Sequence, residues 1–107
     1  MIENKKVVVR YPPSPTGLFH IGNARTFLFN YLFAKQNNGQ IVFRLEDTDK
    51  ERSKEEYAQD IIENLKWLGI EPDFSTMVRQ SERSGVYKKY LEKLIEEGKA
   101  YFAEERK

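Results

Sequence analysis

The sequence has no cysteine and 1 histidine. The first absence excludes disulfides, thiolate chemistry and a Cys-ligated zinc, and the second excludes a multi-histidine metal site. An excess of charge is also lacking, since 18 Lys and Arg against 17 Asp and Glu leave a formal net charge of +1. A dedicated nucleic-acid binder carries a strongly basic footprint, so any RNA contact must be local or supplied elsewhere. Long hydrophobic runs are missing too. MIENKKVVVRY holds no signal-peptide core, and the longest later run, FLFNYLFA, is far short of a membrane span. A soluble, cytoplasmic chain with no membrane partner is the simplest expectation. There is no internal repeat or low-complexity tract, and PPSPTG, the only Pro-rich piece, is too short for a linker and reads as a shaped loop.

What is there can still build a core. The 107 residues are 39% hydrophobic and include 7 Phe, 6 Tyr and 1 Trp. That apolar surface is enough to offset chain entropy in one globular domain or part of one.

Val7 to Tyr11 is a β-branched and aromatic run halted by Pro12 and Pro13, and its continuous apolarity predicts a strand buried on both faces. Ile21, Ala24, Leu28, Tyr31 and Leu32 keep helical spacing, widened by Phe27, Phe29 and Phe33, up to a stop at Gly39. That breadth predicts a largely buried helix whose aromatic stripe is core rather than a base-stacking platform. Gln40 to Leu45 is a second strand leading into the polar EDTD loop. Ser53 with Glu56 has the form of a capping box for a helix whose apolar positions run from Tyr57 to Leu68 and end at Gly69. Pro72 to Arg79 reads as loop with at most a short extended piece. Ser81 is placed to cap a third helix with an inner face of Val86, Tyr87, Tyr90, Leu91, Leu94 and Ile95, closed by Gly98. Strand and helix in alternation predict an α/β fold, a Rossmann-like parallel sheet with flanking helices. Ligands bind beyond the carboxyl ends of such strands, where PPSPTG and EDTD converge on one crevice.

A helix beginning at HIGN offers free N–H groups and a partial positive charge to a polyphosphate, and Gly22 permits close approach. His20 and Asn23 can donate to such a ligand. Pro12, Pro13 and Pro15 fix three backbone angles ahead of it and make the loop rigid.

RYPPSPTGLFHIGN with RLEDTDKERS, then WLG, QSERSGVYKKYLEKL and GKAY, resembles the glutamyl-tRNA synthetases of class I, matching in order to the end of the chain. Glutaminyl enzymes carry P-E-P-N-G and D-D-T-N at the corresponding places. The short enzymes that glutamylate queuosine in tRNA(Asp) share part of the pattern and stay open as an alternative. The resemblance implies ATP-dependent activation of glutamate to glutamyl-adenylate and transfer to tRNA(Glu), with Mg2+ accompanying ATP. It places His20 and Asn23 as catalytic residues and Thr16, His20, Gly22 and Asn23 on the ATP side. Arg10, Ser14 and Glu46 fall at the glutamate pocket. Thr48, Asp49 and Arg52 fall near the tRNA acceptor end. Asn23 stands where the family's H-I-G-H motif has its second histidine, and Ala103 stands where zinc-containing relatives place cysteine, so no zinc is expected.

The family's second half, with its Lys-rich phosphate-gripping loop, has no counterpart here. Residues 1–107 therefore read as a single partial domain, the N-terminal half of the nucleotide-binding catalytic domain, ending at the start of the acceptor-binding insertion. A half-domain exposes a sheet edge and apolar surface, which predicts self-association. The alternative from another class is a non-catalytic module that binds nucleotide or a partner chain. Bland roles compete locally as well: Arg10 and Glu46 could pair with each other, EDTD could be a solvated turn with Asp47 serving only that turn, and the lysines of the third helix read as an ordinary solvated face.

Overall fold

A computed structural model of the protein describes residues 5–105. Strands β1 (Val8–Tyr11), β2 (Gln40–Leu45) and β3 (Asp73–Arg79) form a parallel sheet in the order β1-β2-β3. Helix α1 (Ile21–Gln36) crosses from β1 to β2 and α2 (Glu55–Leu68) from β2 to β3, after which a 3₁₀ turn (Gln80–Arg83) leads into α3 (Ser84–Glu96). The expected Rossmann-like α/β arrangement is present, with β2 in the middle.

Strands laid down in sequence order, joined by right-handed crossovers, place both crossing helices on the same face of the sheet. β2 records this in its alternation: Ile41, Phe43 and Leu45 are buried, while Gln40, Val42 and Arg44 are only half-buried. The buried three join Tyr11 from β1, Phe27 and Ala34 from α1, and Ala58, Ile61 and Leu65 from α2 in one core. Tyr11 stacks on Phe27 with ring centroids 4.6 Å apart, and its hydroxyl donates to the carbonyl of Ile70 at 3.2 Å. Burial, helped by the nearby Tyr31, pushes the Tyr11 phenol well above its ordinary range, so it stays a donor.

Among the described residues no second core forms on the other face, which α3 reaches through Tyr87 on Arg44. Val8 is 54% exposed and Arg10 is exposed, so β1 is an edge strand packed on one face and not the doubly buried strand its apolarity predicts. The same one-sidedness corrects α1. Only Phe27 and Ala34 of this helix are buried, and Tyr31 packs at the margin of the core. Phe29 and Phe33 are exposed, so the aromatic stripe is not core as a whole. A helix with a sheet on one side covers a single stripe, whatever apolar residues lie elsewhere around it. Val86, Tyr87, Tyr90, Leu91 and Leu94, the expected inner face of α3, are exposed as well. The extents of 48 × 47 × 23 Å describe a slab one sheet and one helix thick, with a radius of gyration of 17.6 Å. A compact chain of this length has about 13 Å.

Three local expectations also change. Residues 73–79 form a strand, hidden in the sequence by turn chemistry at its start: Asp73 accepts from the Ser75 N–H and hydroxyl, and the Thr76 hydroxyl takes the place of a ladder carbonyl by accepting from the Phe43 N–H at 3.0 Å. The Ser53–Glu56 capping box does not form; Lys54 is the N-cap of α2, and the Ser53 hydroxyl is buried without a hydrogen-bond partner. Ser81 lies inside the 3₁₀ turn, and α3 starts after it with Arg83 as an N-cap that makes no side-chain bond. Gly69, at φ 72°, closes α2 as expected. At the end of α1 it is Asn38, at φ 49°, that takes the left-handed conformation, while Gly39 is needed for its lack of a Cβ, which would lie 2.5 Å from the Val7 carbonyl oxygen.

Candidate active site at the carboxyl ends of β1 and β2

The loop that leaves β1 is fixed by its prolines and by short bonds to its neighbours. Pro13 and Pro15 are buried. Their carbonyls accept from the Glu46 N–H at 2.8 Å and the Lys54 N–H at 3.1 Å, so the PPSPTG and EDTD segments are joined through backbone. The Phe19 N–H donates to the Asp60 carboxylate of α2 at 2.8 Å, which ties the end of the loop to the helix layer.

The loop and the start of α1 enclose a cleft of about 430 Å³ lined by Ser14, Thr16, His20 and Asn23, with Phe27 and Ile61 at its apolar floor. His20 is the N-cap of α1. Its Nδ1 accepts the Gly22 N–H at 3.1 Å, while Asn23 Oδ1 accepts the His20 N–H at 3.3 Å, a reciprocal capping box. The consequence for chemistry is a division of atoms: Nδ1 is committed as acceptor, so the ring proton sits on Nε2, and Asn23 keeps its Nδ2 as a donor. The first turn of α1 contains no acidic residue, so nothing in the helix offsets its positive N-terminal end. Two side-chain donors at the positive end of a helix form an anion-receiving arrangement.

Arg10 and Glu46 stand elsewhere. Arg10 pairs in register with Val42 and alternates with buried Tyr11, which puts it on the open face of the sheet, and neither it nor Glu46 lines the cleft. They do not pair with each other: the carboxylate of Glu46 lies 3.8 Å from Nε of Arg44. The single crevice expected from the sequence is therefore two surfaces meeting at one sheet edge. Of the remaining candidates, Gly22 lies in the first turn of α1, Thr48 is exposed, and Asp49 binds Arg52, with Oδ2 accepting from Nε at 2.6 Å. That Arg52 bond holds the Asp49 carboxyl below its ordinary range. Asp47 is not merely a turn residue, because its carboxylate reaches Ser81. Asp60 ties the loop down, and the pair Arg79–Glu55, joined by two bonds of 2.7 and 2.8 Å, lines a smaller neighbouring cleft; no local sequence signal announces contacts across 41 and 24 residues. Among the described residues no three His, Cys, Asp or Glu side chains gather to hold a metal ion. Another cleft, of about 420 Å³, opens at the opposite end of the strands around Lys6, Gly39 and Asp73.

The model of the catalytic domain of class I tRNA synthetases (E and Q) matches residues 6–107. The chain belongs to this family. Curated relatives include the glutamate–tRNA ligase of Aquifex aeolicus, 58% identical over 96 residues, covering 90% of this chain and 20% of the relative. The glutamate–tRNA ligase of Lactobacillus delbrueckii subsp. bulgaricus is 55% identical over 107 residues, covering 94% and 21%. Among solved structures, a glutamate tRNA ligase from Elizabethkingia meningosepticum in complex with its amino acid superposes with a TM-score of 0.78 at 42% identity, over 86% of this chain and 20% of that one. The chain thus spans about a fifth of the length of the relatives it matches.

Proposed function

We propose that this chain is the front of a glutamate–tRNA ligase, holding ATP at the α1 N-terminus and contributing part of the glutamate pocket. The observation that carries this reading is the His20–Asn23 capping box, which leaves one ring N–H and one amide donor beside the cleft. In this reaction a carboxylate oxygen of glutamate attacks the α-phosphorus of ATP. A P–O bond forms there as the bond to pyrophosphate breaks, and the terminal ribose of tRNA(Glu) then takes the glutamyl group. No protein nucleophile is needed, so the work is alignment and stabilisation of negative charge on the transferring phosphate. Thr16, Gly22, His20 Nε2 and Asn23 Nδ2 serve the phosphates. Arg10 offers a planar guanidinium to a carboxylate of glutamate, Glu46 faces its ammonium, and Ser14 serves the same pocket from the cleft wall. Thr48, Asp49 and Arg52 lie towards the acceptor end of the tRNA. Mg2+ accompanies the ATP phosphates in this reading, as hard cations bound with nucleotides usually do.

The test is glutamate-dependent exchange between ATP and pyrophosphate. Weak exchange is expected, abolished by His20→Ala and reduced by Arg10→Ala; activity surviving both changes sinks the assignment. A specific observation supports a second, non-catalytic reading: the sheet builds a core on one face only, so the chain could bind ATP without turnover. That reading gives calorimetric ATP binding and no exchange at any protein concentration. The open face and the exposed Ile21, Phe29 and Trp67 also lead us to expect self-association, seen as a mass above the monomer in light scattering at high concentration. A strict monomer under those conditions contradicts it.

A further inference from the structure

No residue of α3 is buried, yet its beginning is firmly held. Asp47 Oδ1 accepts the Ser81 N–H at 2.8 Å and Oδ2 accepts the Ser81 hydroxyl at 2.7 Å. One turn into α3, the Tyr87 hydroxyl accepts from Arg44 Nη2 at 2.9 Å, and the same guanidinium faces Glu46 at 3.8 Å. Two adjacent carboxylates, Glu46 and Asp47, are therefore both linked to this arm, one through Arg44 and one directly. Their shared backbone is pinned from the other side by Pro13.

We propose that Asp47 is a positioning residue: by gripping Ser81 it fixes the 3₁₀ turn and α3, and so sets where Tyr87 holds the Arg44 guanidinium that faces the carboxylate of Glu46. Packing cannot do this, because the apolar side of α3 touches no core. Polar bonds to an ionised carboxylate are directional and strong enough to orient an otherwise free helix. The charged groups around Asp47 leave it available for the task. Arg79 of β3 is occupied by Glu55 at the head of α2, while Lys50 and Lys54 line the same small cleft and Glu82 lies in the turn. Burial works against ionisation of Asp47, but the Ser81 bonds and Arg79 outweigh it and hold the carboxyl below its ordinary range.

The grip on Ser81 stands on geometry alone; its consequence for glutamate rests on the function proposed above. Amide spectra of the chain across pH read the first part. The Ser81 amide proton is expected to follow one carboxyl titration, lost in Asp47→Asn and Asp47→Ala and kept in Ser81→Thr. A Ser81 amide that does not titrate, or titrates unchanged in Asp47→Asn, overturns the grip. Exchange kinetics read the second part: Asp47→Ala should raise KM for glutamate roughly tenfold with KM for ATP unchanged, and Ser81→Thr should behave as wild type. An unchanged glutamate KM in Asp47→Ala overturns the positioning role. Should the unaltered chain show no exchange, the proposed function fails separately. Positioning is then read from the carboxyl carbon resonance of Glu46, which must shift in Asp47→Ala if the role is real and stay put if it is not.

Discussion

Replacing Gly22 by alanine separates the two jobs of the α1 N-terminus, capping a helix and presenting a donor. A Cβ at Gly22 would stand 3.0 Å from both Cε1 and Nδ1 of His20. That Nδ1 is the atom accepting the Gly22 N–H at 3.1 Å. The helix backbone cannot yield, but the exposed imidazole can give by a few tenths of an ångström, which weakens the cap, at a cost of up to about 1 kcal/mol. Alanine in place of glycine returns about 0.5–1 kcal/mol through backbone entropy. The two nearly offset, and the urea midpoint followed by circular dichroism should correspond to a stability within about 1 kcal/mol of wild type. Function has no such compensation. Nε2 moves with the ring, and since a misplacement on the order of 1 Å costs roughly 10²-fold in rate, a shift of a few tenths of an ångström should still lower both calorimetric ATP affinity and glutamate-dependent exchange. A Gly22→Ala chain that binds ATP and exchanges pyrophosphate like wild type would refute the reasoning, because it would mean that the histidine ring does not face the nucleotide.

Gly39→Ala should be destabilising throughout, since its Cβ would meet the Val7 carbonyl oxygen at 2.5 Å, and that oxygen accepts the first bond between β1 and β2. A loss of about 1–3 kcal/mol is expected, and a urea midpoint equal to wild type would contradict it. Tyr11→Phe keeps the stack on Phe27 but strands the buried Ile70 carbonyl, for a loss of about 1–2 kcal/mol in the same assay; an unchanged midpoint would count against that hydrogen bond. Acid should weaken the fold through Asp47 and Glu55, whose carboxyls lie below their ordinary range in the folded chain, Glu55 chiefly through its Arg79 bonds. A lowered folded value means that the unfolded chain binds more protons, so the stabilisation is complete above the unfolded carboxylate range and is lost as pH falls through the folded values. Urea midpoints measured from pH 7 down to pH 3 should therefore decline, and less steeply in Glu55→Gln; parallel profiles would remove Glu55 from the account.

Much of this protein is legible in order along the chain. β1, α1, β2 and α2 lie where β-branched runs, helical spacing and glycine stops place them, because those signals are set by nearest neighbours. β3 is not, since its first residues carry turn chemistry and its pairing depends on β2, which is more than 27 residues away. The site divides in the same way. HIGN is readable as an anion-receiving helix start, and the structure adds which nitrogen of His20 is left to act. Asp47 reads as a turn residue because its partner, Ser81, lies 34 positions further on.

By itself the sequence determined the family, the alternation of strand and helix, and the identity of the candidate residues, all of which follow from residue types at short spacing. Only the tertiary structure decided that both crossing helices lie on one face of the sheet. Sequential strand order and a single crossover hand leave Val8 and Arg10 on the other face exposed, with Arg44 reached only by Tyr87 of α3. An apolar residue carries no mark of whether a neighbour will cover it, which is why Phe29, Phe33 and the inner side of α3 read as core and stand exposed.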